Sequence, residues 1–204
     1  MTNNSSIPSS EVIEQTAASL TKNGFTTHVV DDAVGALDAL KKLIPANSEV
    51  MTGSSTSLNE IGFSEYLASD SHPWKSVHAQ ITAEDDESKR AELRRKSVTA
   101  EYFVASANAL TQDGKIVAVD MSGSRVGAFL YGAKKLILVV GAQKITENET
   151  NALARVREVV FPLEDARAQK AYGVHSMTAK WAIMEYEGAQ NRVHVILVKE
   201  ALGF

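Results

Sequence analysis

There is no cysteine among the 204 residues of this chain. That excludes disulfides, thiolate catalysis and an iron–sulfur cluster held by the chain's own sulfurs. A basic excess is also missing: 21 Lys and Arg against 25 Asp and Glu leave a formal net charge of −4. Nothing draws in a phosphate backbone, so nucleic acid is not expected as a partner. Long hydrophobic runs are absent too. The longest, Leu136–Val140, is far too short to span a bilayer, and no membrane association is expected. The opening MTNNSSIPSSE lacks a basic start followed by an apolar stretch, so no signal peptide is visible and a cytoplasmic protein is the expectation. The histidines, His28, His72, His78, His175 and His194, show no metal-ligand spacing, and no metal or other cofactor is evident.

What is present is an ordinary soluble composition, 44% hydrophobic and 23% charged, enough for a full core. Helical and extended patterns alternate. Ile13, Ala17 and Leu20 fall at helical spacing and Asn23-Gly24 closes that helix, before FTTHVV reads as a strand. Asp31 or Asp32 caps a helix with an apolar stripe of Val34, Leu37, Leu40 and Ile44, ended by Pro45. A strand at Glu49–Thr52 follows, and Ser57-Leu-Asn-Glu60 reads as a capping box. Ser69–Ile81 is irregular, with Pro73 and Trp74 expected in a surface loop. Glu84–Ala100 reads as a solvated helix, acidic at its start and basic at its end, matching the helix dipole.

In the second half KIVAVD (Lys115–Asp120) and KKLILVVG (Lys134–Gly141) are apolar at consecutive positions, as parallel strands covered on both faces are. RVGAFLYG between them reads as a short helix. Thr146-Glu-Asn-Glu149 reads as a second capping box ahead of Ala152, Leu153, Val156 and Val160. A helix near Thr178–Glu187 and a strand at Val193–Lys199 complete the pattern, with Trp181, Ile183, Met184 and Tyr186 expected in core or interface. The fold class expected is α/β, a mostly parallel sheet flanked by helices on both faces. The expected organisation is a single domain over 1–204, with an N-terminal helical segment at about 9–23 and a C-terminal helix and strand, 175–199, packed on it.

Ligands of such sheets bind outside the carboxyl ends of the strands, which selects three loops. The first is Gly53, Ser54, Ser55, Thr56 and Ser57. Glycine freedom, hydroxyl donors and a following helix start suit a phosphate or carboxylate, and an ordinary capped βα loop explains the residues as well. The second is DMSGSRVG, where Asp120 meets Ser122, Gly123, Ser124 and Arg125. The arginine can clamp an oxyanion with paired hydrogen bonds, while Asp120 binds a hydroxyl, acts as the candidate acid or base, or simply caps the helix and pairs with Arg125. The third is VVGAQKI, with Gly141 ending the strand and Lys144 as an anion partner or as one more solvent-facing lysine. Neither a nucleotide-binding glycine fingerprint nor a P-loop is present.

The stretch EYFVASANALTQDGKIVAVDMSGSRVGAFLYGAKKLILVVGAQKI resembles the LUD family, named for lactate utilization. The features that carry the likeness are Tyr102-Phe103, Asn108-Ala109, Thr111-x-Asp113-Gly114, Asp120, Gly123-x-Arg125-Val126 and Gly141-x-x-Lys144-Ile145, with GSSTSLNEIGF before and RVHVILVKEALG after. The resemblance implies a fold like that of ribose-5-phosphate isomerase, glucosamine-6-phosphate deaminase and the CoA transferases. In the phosphosugar enzymes of that superfamily a Gly/Ser/Thr-rich loop holds phosphate, which favours the anion-binding reading of Gly53–Ser57 and makes Asn108, Asp120 and Arg125 its companions around one cleft. Two departures stand out. Many relatives carry a cysteine-rich segment before the terminal strand, and Lys170–Arg192 here has none. The family's usual asparagine before the arginine is Ser124.

The expectation is therefore a protein of organic-acid metabolism that binds a small anionic metabolite, accessory to lactate oxidation rather than redox-active itself. An iron–sulfur protein is the partner this implies, and superfamily analogy raises a homodimer. Two alternatives stay open: a stand-alone enzyme acting on a phosphosugar or acyl-CoA, and a metabolite-sensing regulatory module.

Overall fold

The computed structural model describes residues 6–69 and 71–204. Met1–Ser5 of the polar opening and Asp70 within the irregular stretch lie outside the described residues. The first helix, α1 (Ser10–Lys22), starts where the Ser9 hydroxyl accepts the Val12 N–H and ends at Asn23, with Gly24 left-handed. Then come β1 (Thr26–Val30), α2 (Ala33–Leu43, capped by Asp32) and β2 (Glu49–Thr52). They are followed by α3 (Thr56–Glu60), α4 (Phe63–Ala68), β3 (Lys75–Ser76), α5 (Val77–Ala83) and α6 (Glu87–Lys96). After the strands β4 (Tyr102–Ala105), β5 (Ala109–Thr111) and β6 (Ile116–Asp120), α7 (Ser124–Gly127) runs on into a wider turn, Ala128–Gly132. The chain continues through β7 (Lys135–Gly141), β8 (Ile145–Thr146), α8 (Glu149–Arg155), α9 (Phe161–Tyr172), β9 (Lys180–Met184) and β10 (Val193–Val198).

Six strands form an all-parallel sheet in the order β1-β10-β7-β4-β2-β3. Its centre explains the unbroken apolar run of β7. Leu136, Leu138 and Val140 face one cluster with α1, while Ile137 and Val139 face another with α2, α3 and α4. Both faces are covered, so every position is apolar. A second, mixed sheet, β8-β5-β6-β9, adds a layer. Leu110, Ile116 and Ala118 pack toward the large sheet, and Ala109, Val117 and Val119 pack outward against Ala152 and Val156.

The structure corrects several expectations. KIVAVD is not a strand of the parallel sheet: as β6 it pairs antiparallel with β5 and β9. A strand buried on both faces has the same apolar signature whichever direction its neighbours run. The helix expected near Thr178–Glu187, and with it the C-terminal helix of 175–199, is the strand β9. Burial alternates along it, with Ala182 and Met184 inward and Trp181 and Ile183 packed on the outer cluster. Pairing with β6 overrides the helical preference of Ala and Met. Trp74 is no surface residue: it is 6% exposed, and its indole N–H donates to the Ile44 carbonyl at 3.1 Å, with β3 and α5 formed around it.

Both capping boxes slip by two residues. Ser55, not Ser57, accepts the Leu58 N–H, and Asn148, not Thr146, accepts the Asn151 N–H. The charged helix is shorter than expected, capped by Asp86, and buries none of its residues.

A cleft at the carboxyl ends of the strands

Adjacent strands β7, β4 and β2 end side by side, and the segments leaving them meet in a cleft of about 250 Å³. From β2 come Gly53–Ser57, from β4 come Ser106, Ala107 and Asn108, and from the turn after β7 comes Lys144. The end of β6 supplies Val119, Asp120 and Met121, and α7 supplies Ser124 and Arg125. The opposite wall is α9 with Phe161, Glu164 and Arg167. Thr56 and Arg125, which the sequence places far apart, thus line one cavity. A second cleft of about 530 Å³ shares Gly53–Thr56 and Arg167 with the first and continues toward His78 and Tyr172.

Lys144 is 1% exposed, so it is not the solvent-facing lysine that a loop position suggests. Its Nζ reaches the Ser57 Oγ at 2.9 Å, the Ser106 Oγ at 3.0 Å and the Ala107 carbonyl at 3.4 Å. Burial, and then the nearby cations Arg155 and Arg125, push its pKa down to about 7, with Glu60 acting in the opposite sense. Ser57 is held in turn by the Leu202 carbonyl, and Gly203 closes over it. A Cβ at Gly203 would stand 2.5 Å from the Ser57 Oγ, and its φ of +60° suits glycine.

Arg125 keeps part of its length at the surface, but its guanidinium is desolvated and its pKa lowered; Asp120 and Glu164 offset this in part. That guanidinium donates to the Val119 carbonyl and, at 3.5 Å, to the Asn108 Oδ1. The Asp120 carboxylate does not pair with it. Instead one Asp120 oxygen accepts the backbone N–H groups of Gly123 (3.0 Å) and Arg125 (2.9 Å). Gly123 has a φ of +91°, which lets that turn wrap the carboxylate. Glu164 is likewise engaged, holding Arg167 through two bonds of 2.7 Å. Arg155 adds a second desolvated guanidinium, donating to the Asn108 carbonyl at 2.7 Å, its pKa lowered by desolvation to about 10.

Of the residues expected at the site, Gly53, Ser54, Ser55, Thr56, Ser57, Asn108, Asp120, Ser124, Arg125 and Lys144 line the cleft. Ser122, Gly123 and Gly141 do not. Ser122 braces Asp120 and Ser124, Gly123 shapes the turn, and Gly141 lies beneath the Gln143 amide and the chain near Leu202. Gly53 has no left-handed backbone, and a Cβ there would meet nothing within 4 Å, so its conformational freedom is not what the loop uses. Part of each helix start is already engaged, Ser55 accepting the Leu58 N–H at α3 and Asp120 those of Gly123 and Arg125 at α7.

Sequence reasoning missed Ser106, Glu164 and Arg167. Ser106 follows β4 directly, and the strand Tyr102–Ala105 is the signal that points to it. Arg167 carried only the i,i+3 spacing of a common ion pair.

A family model described as the LUD domain matches residues 13–198. The crystal structure of a DUF162 family protein from Deinococcus radiodurans, which is the same family, superposes with a TM-score of 0.51. That match is 15% identical and covers 94% of this chain and 99% of the other. No curated protein matches. Among the described residues, no helix is long and apolar enough to cross a membrane, and no group of three or more His, Cys, Asp or Glu is placed to hold a metal ion.

Proposed function

Because the chain belongs to the LUD-domain family and its cleft gathers basic side chains with uncharged partners, we propose that it binds a small anionic metabolite there. The observation that carries this reading is Lys144. A buried amine normally sits against a carboxylate, yet its hydrogen-bond partners are two hydroxyls and a carbonyl. The carboxylates lining the cleft are engaged elsewhere, Asp120 by backbone N–H groups and Glu164 by Arg167. An anionic ligand is then the natural counter-charge for Lys144 and Arg125, with Thr56 and the serines as neutral donors.

A cleft of about 250 Å³ suits a small organic acid and is below the range of drug-sized sites. We place the protein in organic-acid metabolism, accessory to lactate oxidation. With no cysteine in the chain, electron transfer through a cysteine-held cluster would fall to a partner protein.

A thermal-shift screen with 2-hydroxy acids, 2-oxo acids, phosphorylated sugars, nucleotides and CoA esters tests the binding. A ligand at 100 times its Kd stabilises the fold by about 2.7 kcal/mol, and the shift should vanish in Arg125→Ala with the folded state retained. No shift with any of these compounds, or a shift that survives the substitution, would overturn the assignment. Loss of growth on lactate after gene deletion is the expected physiological result.

A further inference from the structure

We infer that Lys144 is a nucleophilic amine that forms a Schiff base with the carbonyl of a small 2-oxo acid whose carboxylate is held at Arg125. This rests on the anion-binding reading and adds the substrate class and a covalent step.

The surroundings of Nζ hold no carboxylate that would keep a proton on it: its acceptors are the Ser57 and Ser106 hydroxyls at 2.9 and 3.0 Å and the Ala107 carbonyl at 3.4 Å. A neutral amine there keeps two N–H donors and a lone pair, and it lines the same cleft as Arg125. The Ser57 hydroxyl faces the Leu202 carbonyl and the Ser106 oxygen, and the Ser106 hydroxyl faces the Ala107 carbonyl, so each serine oxygen has a lone pair to accept from Nζ. Burial and the positive field of Arg125 and Arg155 favour the same neutral form, the two factors that activate lysines toward carbonyl compounds.

The other anchored lysines are built in the opposite way. Lys115 bonds Glu149 and Glu185, and Lys199 bonds Asp31, which raises the pKa of both amines. At pH 7 a lysine titrating at about 7 holds on the order of a thousandfold more free base than one at the ordinary 10.5.

The step balances within the cleft. The nitrogen lone pair adds to the carbonyl carbon while the C=O π pair moves to oxygen. That oxygen takes up a proton as nitrogen gives one up, a transfer that the Ser57 and Ser106 hydroxyls are placed to relay. The hydroxyl then takes up one further proton from solvent and leaves as water, the nitrogen lone pair forming the C=N bond of a cationic iminium, and no oxidant or other co-reactant enters. The substrate carboxylate then lies beside the cationic iminium and Arg125.

Reductive trapping tests this. The intact protein is incubated at pH 7 with pyruvate and cyanoborohydride, digested and mapped by mass spectrometry, with lactate as the carbonyl-free control. The expected result is a reduced adduct on the Lys144 peptide, at least about tenfold above any other lysine. It should be absent with lactate and in Lys144→Met, and reduced about tenfold in Arg125→Ala, which keeps the amine but loses the carboxylate clamp. Adducts spread evenly over exposed lysines, or none at all, would overturn the proposal. If pyruvate still raises the melting temperature without an adduct, the Schiff base falls and the anion site stands. If neither acid shifts the melting temperature nor labels Lys144, both fall.

Discussion

Two parts of the parallel sheet treat charge in different ways. At the amino ends of β7 and β10, Lys134 pairs with Glu101 at 3.2 Å and Arg192 with Glu187 at 2.7 Å, although Lys135 meets the Asn191 carbonyl. At the carboxyl ends of β1 and β10, Lys199 pairs with Asp31. At the carboxyl edge, Lys144 and Arg125 turn to hydroxyls, an amide oxygen and backbone carbonyls, and no carboxylate ion-pairs with either among the described residues. The same strands, β7 and β4, run between these edges, so the difference is not one of core packing. The Lys134 and Arg192 pairs neutralise themselves, as a purely structural surface does. The cleft at the carboxyl ends of β7 and β4 keeps basic groups desolvated, which opposes folding and favours an anion.

The largest effect should come from the strand that joins both edges. Leu138 is fully buried at the centre of β7. Leu138→Ala removes packing that cannot collapse inside a sheet covered on both faces, so unfolding in urea should come about 2–5 kcal/mol earlier. A loss under about 1 kcal/mol would mean that the two faces are not the close-packed layers described.

Next is the amino edge itself. Arg192 and Glu187 are each only 13% exposed, and Arg192 also donates to the Ala128 and Phe129 carbonyls. Glu187→Ala leaves that guanidinium partly satisfied, so a destabilisation of about 1–3 kcal/mol is expected, with ligand-induced thermal shifts unchanged. If anion binding changed as well, the two edges would not be independent.

Much of the parallel sheet was legible because its signals are local. The unbroken LILVV run, the Asp32 cap and the Asn23-Gly24 stop each belong to one short window and mean the same thing in any fold. What was not legible depends on pairing. β6 and β9 form a second sheet because Ile116 meets Met184 and Val119 meets Trp181, partners more than 60 residues apart in the chain. Half of the site shows the same division. Arg125 and Gly53–Ser57 stood out as residue types at strand ends, whereas the depth of Lys144 depends on Ser57, Ser106 and Leu202 converging from three distant segments. The short helix α3 also shows that a glycine–serine turn can serve its own cap, Ser55 accepting the Leu58 N–H, whereas the turn at α7 wraps the Asp120 carboxylate.

Lys144→Met sharpens the comparison by removing the buried amine from the carboxyl edge while Arg125 stays in place. The unfolded lysine keeps its ordinary pKa of 10.5, while the folded one is near 7. Between those values the unfolded chain binds the extra proton, so wild-type stability should rise with pH across about 7 to 10.5 and lose that contribution below 7. The methionine variant should lack this rise and be as stable as the wild type or more so at pH 7, as chemical denaturation at several pH values will show. Anion affinity should move the other way in the wild type. A bound anion favours the ammonium against Arg125 and Arg155 and adds to Glu60, so affinity should weaken as pH climbs above 7. A stability difference between the two proteins that does not vary with pH would mean that Lys144 does not titrate there.

The smallest effect belongs to Lys134→Ala. Its side chain is 70% exposed and its partner Glu101 37%, so water and salt screen the pair and both side chains lose rotamer freedom to form it. A change within about 0.5 kcal/mol is expected, shrinking further in high salt. This weak result carries weight beside the Lys144 variant. The two lysines flank opposite ends of β7, and because Lys144 titrates near 7, Lys134→Ala changes the net charge at pH 7 at least as much as Lys144→Met does. If anion binding simply follows overall charge, Lys134→Ala will weaken it at least as much as Lys144→Met. If binding depends on desolvated charge within the cleft, only the second will, and the thermal shift measured on the two variants separates these cases directly.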